Sequence, residues 1–188
     1  MKRHVYIYQE ELSEELILFF EALSDNYTIK EITDNVITIL DNDYYTEEPI
    51  DLESFQNLLI EDFDSLVTIM IEPYVETEFE LSHDLKSFIK ELPHGVYYFD
   101  DVITYIVLKN NSDLKRKVKA FIQSKIKPDI LHTVREFIEN NMNSSQSAKK
   151  LYMHRNTLNY RIDNFIELTH INVKTFKGAN AIYMLYKY

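Results

Sequence analysis

A stretch near the end of the chain carries side chains that can bind a polyanion and distinguish nucleotide bases. Residues 147–165, SAKKLYMHRNTLNYRIDNF, place lysine, arginine, asparagine, threonine and tyrosine in close succession. Asparagine and arginine can form paired hydrogen bonds with adenine and guanine edges in the major groove of DNA. Lysine, threonine and tyrosine commonly contact phosphate oxygens. These residue types therefore indicate nucleic-acid binding.

The spacing of apolar residues in this stretch predicts two helices joined by a tight turn. We expect the first helix from about Ser145 to Leu151 and the second from about Arg155 to Thr169, with residues 152–154 as the turn. Four apolar residues of the second helix recur at helical spacing and should face inward. They are Leu158, Ile162, Phe165 and Ile166.

The polar residues around the turn are the candidate DNA contacts. In a helix-turn-helix the N-terminal part of the second helix enters the major groove, and the first helix meets the backbone. His154 is a candidate both for a phosphate contact and for a helix cap. The expected DNA-binding residues are Lys149, Lys150, His154, Arg155, Asn156, Thr157, Asn159, Tyr160 and Arg161.

The stretch resembles the C-terminal helix-turn-helix of the purine-catabolism regulator and carbohydrate-diacid regulator (PucR/CdaR-like) family of bacterial transcriptional regulators. The residues upstream, ILHTVREFIENNMN, and the helical segment beginning GVYYFDDVITYIV are also similar to that family, whereas the closing AIYMLYKY is more aromatic. The resemblance implies sequence-specific binding of double-stranded DNA as a homodimer, with a recognition helix at about 155–168. The matching positions are Ala148, Leu151, His154, Arg155, Asn156, Thr157, Leu158, Tyr160, Arg161 and Ile162.

The charge of the chain is divided between two parts, although its net value is −11. Residues 1–114 hold 26 acidic and 6 basic side chains, and residues 115–188 hold 5 acidic and 14 basic ones. Such asymmetry indicates modules with different partners. We expect an acidic α/β domain over 1–99 for sensing or dimerisation, a basic helical connector over 100–127, and a helix-turn-helix domain over 128–188.

The N-terminal part alternates short strands with amphipathic helices in the order β-α-β-β-α-β-α-β, which predicts an α+β fold built on a split βαβ sheet. Expected strands cover residues 4–8, 27–32, 36–40, 66–71 and 96–99, and expected helices cover 11–23, 51–63 and 81–92. The region resembles a degenerate nucleotide-cyclase palm. Its second and third strands are joined by EITDN, which lacks the glycines of a catalytic hairpin, so no such catalysis is expected.

Beyond residue 99 the pattern becomes entirely helical. Helices are expected over residues 100–109, 113–126 and 128–141, and again from Val173 towards the end. The helix at 113–126 is rich in lysine and arginine. Its basic side chains either touch DNA flanking the main site or form a solvated face.

The amino-acid composition argues against several kinds of catalytic, metal and cofactor site. The chain has no cysteine and only two glycines, which excludes disulfides and thiolate metal sites and argues against a glycine-rich phosphate loop. No histidine pair has the spacing of a zinc site on a helix. We therefore expect no catalytic residue, no metal and no cofactor. The basic N-terminal residues are followed by glutamates before any long apolar run. We therefore expect neither a secretory signal nor a membrane segment. We expect the protein to lie in the cytoplasm.

Three questions remain open from the sequence. The acidic domain is a candidate site for a small-molecule or protein effector. It could instead cover the basic part and weaken non-specific DNA binding. An alternative for the motif itself is a protein-interaction adaptor that uses the helix-turn-helix as a docking surface.

Overall fold

A computed structural model describes residues 3–23, 27–42 and 66–188, together with Ser54 and Asn57. The chain forms two compact units, Met1–Phe99 and Asp100–Tyr188. The helix expected over 51–63 lies outside the described residues except at Ser54 and Asn57, which are helical.

The first unit contains a mixed sheet whose described strands lie in the order β2-β3-β1-β4-β5. All neighbouring strands are antiparallel except β4 and β5, which are parallel. The order of the first four strands is that of a split βαβ sheet, and it confirms the predicted α+β class. The strands are β1 (His4–Tyr8), β2 (Tyr27–Thr33), β3 (Val36–Asp41), β4 (Thr68–Ile71) and β5 (Gly95–Tyr98).

A two-residue turn joins β2 to β3. Thr33 pairs with Val36, and the intervening Asp34 and Asn35 have φ angles of 52° and 61°. Positive φ at both central positions is the geometry of a type I′ hairpin turn, which aspartate and asparagine tolerate better than most residues. The turn predicted from the sequence therefore forms without glycine.

Both faces of the sheet are covered. Val5 and Ile7 of β1 face a core that includes Leu16 and Phe20 of helix α1 (Glu14–Ala22). Because side chains alternate along a strand, His4 and Tyr6 face the opposite side. Helix α2 (Ser82–Phe88), which continues into a 3₁₀ turn at Ile89–Glu91, lines a cavity on that side together with these two residues.

The second unit is helical throughout its described length, and the expected helices are confirmed within a few residues. The last one begins three residues later than predicted, because the Thr175 hydroxyl caps it by accepting a hydrogen bond from the Gly178 amide at 3.2 Å. No helix among the described residues could cross a membrane. The helices are α3 (Phe99–Leu108), α4 (Ser112–Lys125), α5 (Pro128–Glu139), α6 (Ser144–Lys150), α7 (Arg155–Thr169) and α8 (Phe176–Lys187).

Candidate nucleic-acid interface

The first helix of the motif, α6, is short and fixed by its cap. Asn143 Oδ1 accepts hydrogen bonds from the amides of Ser145 at 3.1 Å and Gln146 at 3.0 Å. The Ser147 hydroxyl donates to the Asn143 carbonyl at 2.8 Å, and the side chains of Ser147 and Ala148 are buried. Small buried side chains allow α7 to pack closely against this helix.

The turn between α6 and α7 consists of four residues, 151–154. Tyr152 adopts φ of 51° in the left-handed region, and the Met153 amide donates to the Ala148 carbonyl at 3.0 Å. His154 then caps α7, since its Nδ1 accepts a hydrogen bond from the Asn156 amide at 3.2 Å. The capping alternative for His154 is thus present in the structure, and the residue is otherwise exposed.

Helix α7 extends from Arg155 to Thr169, as the sequence predicts. Leu158, Ile162 and Phe165 have no exposed surface, which confirms them as the inward face. Ile166 is half-buried, and the inward face continues through Thr169, whose hydroxyl donates to the Phe165 carbonyl at 2.7 Å. Thr169 was missed in the sequence because a buried threonine satisfies its hydroxyl within its own helix and leaves no apolar signal.

The outer surface of the first turns of α7 carries four exposed side chains. Arg155, Asn156, Thr157 and Tyr160 are exposed, and Tyr160 retains 70% of its accessible surface. None of the four has a side-chain hydrogen bond or ion pair within the described residues. Asn159 is half-buried at the edge of this surface. We call Arg155, Asn156, Thr157 and Tyr160 the outer surface of α7.

Arg161 has a different environment from the outer surface. Its Nη1 donates to the Thr133 hydroxyl at 3.0 Å, and its Nη2 lies 2.9 Å from Oδ2 of Asp129. Asp129 and Thr133 belong to α5, and Thr133 is fully buried. The structure therefore directs the Arg161 guanidinium towards α5.

The two lysines of α6 also differ. Lys150 Nζ lies 2.7 Å from Oε2 of Glu136 in α5, and this ammonium holds the pKa of Glu136 below its usual range. Lys149 is exposed and has no ion pair within the described residues. Lys149 therefore keeps its full positive charge available to an anion, whereas Lys150 is partly neutralised.

A lysine outside the predicted DNA-binding residues compensates an acid on α7. Lys174, in the loop before α8, forms an ion pair with Asp163. The pair reduces the negative potential one turn beyond Tyr160. Sequence spacing gave no signal for it, because the two residues are 11 positions apart and meet only when the chain folds back.

The basic side chains of helix α4 contact other residues of the second unit. Arg116 and Lys117 pair with Asp113 at 2.6 and 3.1 Å, and Lys115 Nζ donates to the Tyr188 carbonyl at 3.0 Å. The ammonium groups of Lys119 and Lys125 lie 5.5 Å from the ring centroids of Tyr186 and Phe121. These contacts favour a structural role for α4 over a role at the DNA flanks.

The helix-turn-helix region is similar to regions of known proteins. Residues 130–187 match the model of the PucR C-terminal helix-turn-helix domain. Three curated proteins of Bacillus subtilis (strain 168) are similar: the uncharacterized protein YxkF, 49% identical over 57 residues; the proline-responsive transcriptional activator PutR, 34% over 56; and the purine catabolism regulatory protein, 37% over 78. These matches cover 30%, 30% and 39% of this chain and 19%, 14% and 15% of those proteins.

The fold has a counterpart among solved structures. The crystal structure of a regulator of polyketide synthase expression from Bifidobacterium adolescentis is similar with a TM-score of 0.53 and 14% identity, covering 99% of this chain and 79% of that chain. At this identity the similarity concerns the α+β architecture. Residues 130–187 of this chain are thus similar to the C-terminal helix-turn-helix domain of the PucR family, and the chain spans less than a fifth of the length of the curated relatives that it matches.

Proposed function

We propose that this protein is a bacterial transcriptional regulator without enzymatic activity, which binds double-stranded DNA through the PucR-type domain. The observation that carries this proposal is the outer surface of α7, where Arg155, Asn156, Thr157 and Tyr160 are exposed together at the N-terminal end of the second helix of a helix-turn-helix. That end of the helix enters the major groove in proteins of this class. The site of action is the chromosome, in the cytoplasm.

Each residue of the candidate interface has an expected role. Asn156 and Arg155 bind base edges, because their side chains can form bidentate contacts with adenine and guanine. Thr157, Tyr160 and Lys149 bind phosphate oxygens. The exposed N-terminal turn of α7 adds a favourable helix dipole for phosphate.

The other residues predicted to contact DNA act mainly by supporting the surface. His154 caps α7 and can present Nε2 to a phosphate at the same time. Asn159 lies at the edge of the surface and contributes a contact from there. Lys150 and Arg161 bind Glu136 and Asp129 in the free protein, and we assign them the roles of fixing α6 and α7 against α5.

The regulator acts as a homodimer, as the family resemblance implies. A dimer of such domains presents two equivalent helices to half-sites about 34–36 Å apart. The N-terminal unit, residues 1–99, receives the effector, and residues 100–127 connect it to the DNA-binding domain.

The proposal is tested by binding of the full chain to fragmented genomic DNA, followed by sequencing of the retained fragments. We expect a small set of fragments that share an inverted repeat, and a dimer mass in light scattering. If the helix-turn-helix instead docks a protein partner, no fragment will be retained even at low salt.

A further inference from the structure

The N-terminal unit contains a cavity of about 480 Å³ on the sheet face opposite α1. Strands β1, β2 and β3 form its floor, and α2 forms one wall. Small-molecule sites in proteins are commonly between about 300 and 1,000 Å³. The cavity is therefore large enough for a small metabolite.

Two residues of the cavity floor, His4 and Tyr6, are held by a buried carboxylate next to it. The Glu72 carboxylate, with 2% of the residue exposed, accepts from the Tyr6 hydroxyl at 2.7 Å and lies 3.2 Å from His4 Nδ1. Lys30 Nζ lies 3.3 Å from His4 Nε2. Since an ammonium group can only donate, Nε2 must accept, so Nδ1 carries the proton and donates to Glu72.

Burial and the neighbouring Glu72 raise the pKa of Tyr6, which keeps its hydroxyl protonated as a donor. Glu72, His4 and Tyr6 are thus held in one arrangement by their mutual hydrogen bonds. The network forms a preorganised floor for whatever occupies the cavity.

Two hydroxyl oxygens of lining residues, Thr38 Oγ1 on the floor and Ser82 Oγ on α2, have no hydrogen-bond partner within the described residues. Thr38 pairs with Tyr6 across β1 and β3, which places both side chains on the cavity face. Only 5% of Thr38 is exposed, and its Oγ1 has no hydrogen bond within the described residues. A buried hydroxyl left without a partner destabilises the folded protein. A ligand atom that bonds Thr38 would remove this destabilisation.

The rim of the cavity carries one charge of each sign that has no ion pair within the described residues. Lys86 binds Glu31 at 2.5 Å, so these two lining residues neutralise each other. Lys30 meets an imidazole rather than a carboxylate, and Glu78 has no ion pair within the described residues. A zwitterionic ligand can pair with Lys30 and Glu78 at once, whereas a ligand with a charge of one sign can pair with only one of them.

We propose that this cavity binds a free amino acid, with its carboxylate at Lys30 and the Thr38 hydroxyl and its amino group at Glu78. A zwitterion complements both of these charges and supplies an acceptor for Thr38. This inference rests on the proposed function only in making the amino acid the effector of the regulator. Binding itself requires no DNA.

The test is isothermal titration calorimetry of the full chain, without DNA, against each of the twenty standard amino acids. Every amino acid that binds is compared with its decarboxylated amine and with its deaminated carboxylic acid. We expect at least one amino acid to bind, and both analogues to bind about tenfold more weakly or worse, as expected when a buried polar group loses its partner. Absence of heat with all twenty, or equal affinity for the deaminated acid, would overturn the proposal.

Two variants locate the binding in the cavity. Thr38→Val, which keeps the side-chain shape, and Lys30→Met should each weaken binding about tenfold. Lys90→Met serves as the control, because Lys90 lies 3.9 Å from Asp34 and does not line the cavity. Unchanged affinity in Thr38→Val and Lys30→Met would place the amino acid elsewhere and refute the site.

The stability of Thr38→Val separates a ligand role from a structural one. Removing an unpartnered buried hydroxyl should leave the urea midpoint of the ligand-free protein unchanged or higher. A lower midpoint would show that the hydroxyl is part of the fold and would contradict its assignment to a ligand. Because calorimetry is performed without DNA, its result is independent of whether genomic fragments are retained, so the two proposals can fail separately.

Discussion

The Arg161 guanidinium lies 2.9 Å from the Asp129 carboxylate and thereby joins α7, the second helix of the motif, to α5. Asp129 stands in the first turn of α5, where a carboxylate is favoured by the helix dipole. Arg161 also donates to the buried hydroxyl of Thr133. These contacts join α7 to α5, and we therefore expect Arg161 to act as a positioning residue.

Removal of either side chain of the Arg161–Asp129 ion pair should lower the stability of the protein. The two losses should not be additive, because the side chains interact with each other. Arg161→Gln is expected to reduce the free energy of unfolding by about 1–2 kcal/mol, since it loses a hydrogen bond to a buried hydroxyl and a half-exposed ion pair. Urea unfolding of Arg161→Gln, Asp129→Asn and the double variant should give a coupling energy of about 0.5–1 kcal/mol. Strictly additive losses would show that the two side chains do not interact in solution.

The dual position of His154 predicts different results for two substitutions. His154→Ala removes the cap of α7 and should cost about 1 kcal/mol of unfolding free energy. His154→Asn keeps a capping acceptor and should retain most of that stability. If the histidine also meets a phosphate, His154→Asn will still weaken DNA binding at low salt. Equal stability of the alanine and asparagine variants would contradict the capping role.

Contacts to bases and contacts to phosphates should have different effects on the affinity for selected and for non-specific DNA. Asn156→Ala is expected to reduce affinity for the selected fragment by about 1–3 kcal/mol while leaving non-specific DNA binding nearly unchanged. This difference follows because base contacts carry sequence information and phosphate contacts do not. Fluorescence anisotropy with the selected fragment and a scrambled one measures it. A parallel loss on both fragments would assign Asn156 to the backbone.

Lys149 provides the matching phosphate test. Lys149→Gln should weaken binding to both fragments by a similar factor and reduce the magnitude of the log–log salt slope by about 1. Lys109→Gln is the control, because Lys109 is an exposed lysine of the same unit outside the motif. An unchanged slope in Lys149→Gln, or an equal change in the control, would remove Lys149 from the interface.

Gly178 is predicted to be intolerant of a methyl group although it lies in a helix. A Cβ at this position would stand 2.1 Å from the Asn172 carbonyl oxygen, which belongs to the backbone and cannot move aside easily. Gly178→Ala should therefore destabilise the second unit by about 1–3 kcal/mol, although glycine to alanine ordinarily stabilises a helix by about 1 kcal/mol. Thermal unfolding checks this, with Gln123→Ala at an exposed helical position as the neutral control. A raised melting temperature would contradict the close approach.

The helices and turns of this protein can be predicted from its sequence where the spacing of apolar residues and the turn-forming residues indicate the same structure. Leu158, Ile162 and Phe165 repeat at helical spacing, and the structure buries all three. Asp34 and Asn35 predicted a turn, and both adopt the left-handed conformation that it needs. Periodicity and turn chemistry act over a few residues, so one sequence is enough to reveal them.

The partners of individual side chains were not predictable in the same way. Helical geometry places Arg161 beside the outer surface of α7, but whether it points at DNA or at Asp129 depends on where α5 packs, 32 positions earlier in the chain. Lys174 and Asp163 meet only through the fold of the loop before α8. The cavity of the N-terminal unit is formed by strands and a helix that are distant in sequence. No sequence motif therefore predicts it.

The central claim, that the exposed outer surface of α7 binds DNA, is tested most directly by the salt dependence of full-chain binding to genomic fragments. Anisotropy titrations at several salt concentrations should show affinity that falls linearly on a log–log plot, with a slope of about −0.9 for each phosphate contacted. The triple variant Arg155→Ala, Asn156→Ala and Tyr160→Ala should abolish the preference for selected fragments. Absence of any binding at low salt, or full retention of preference in the triple variant, would contradict the claim.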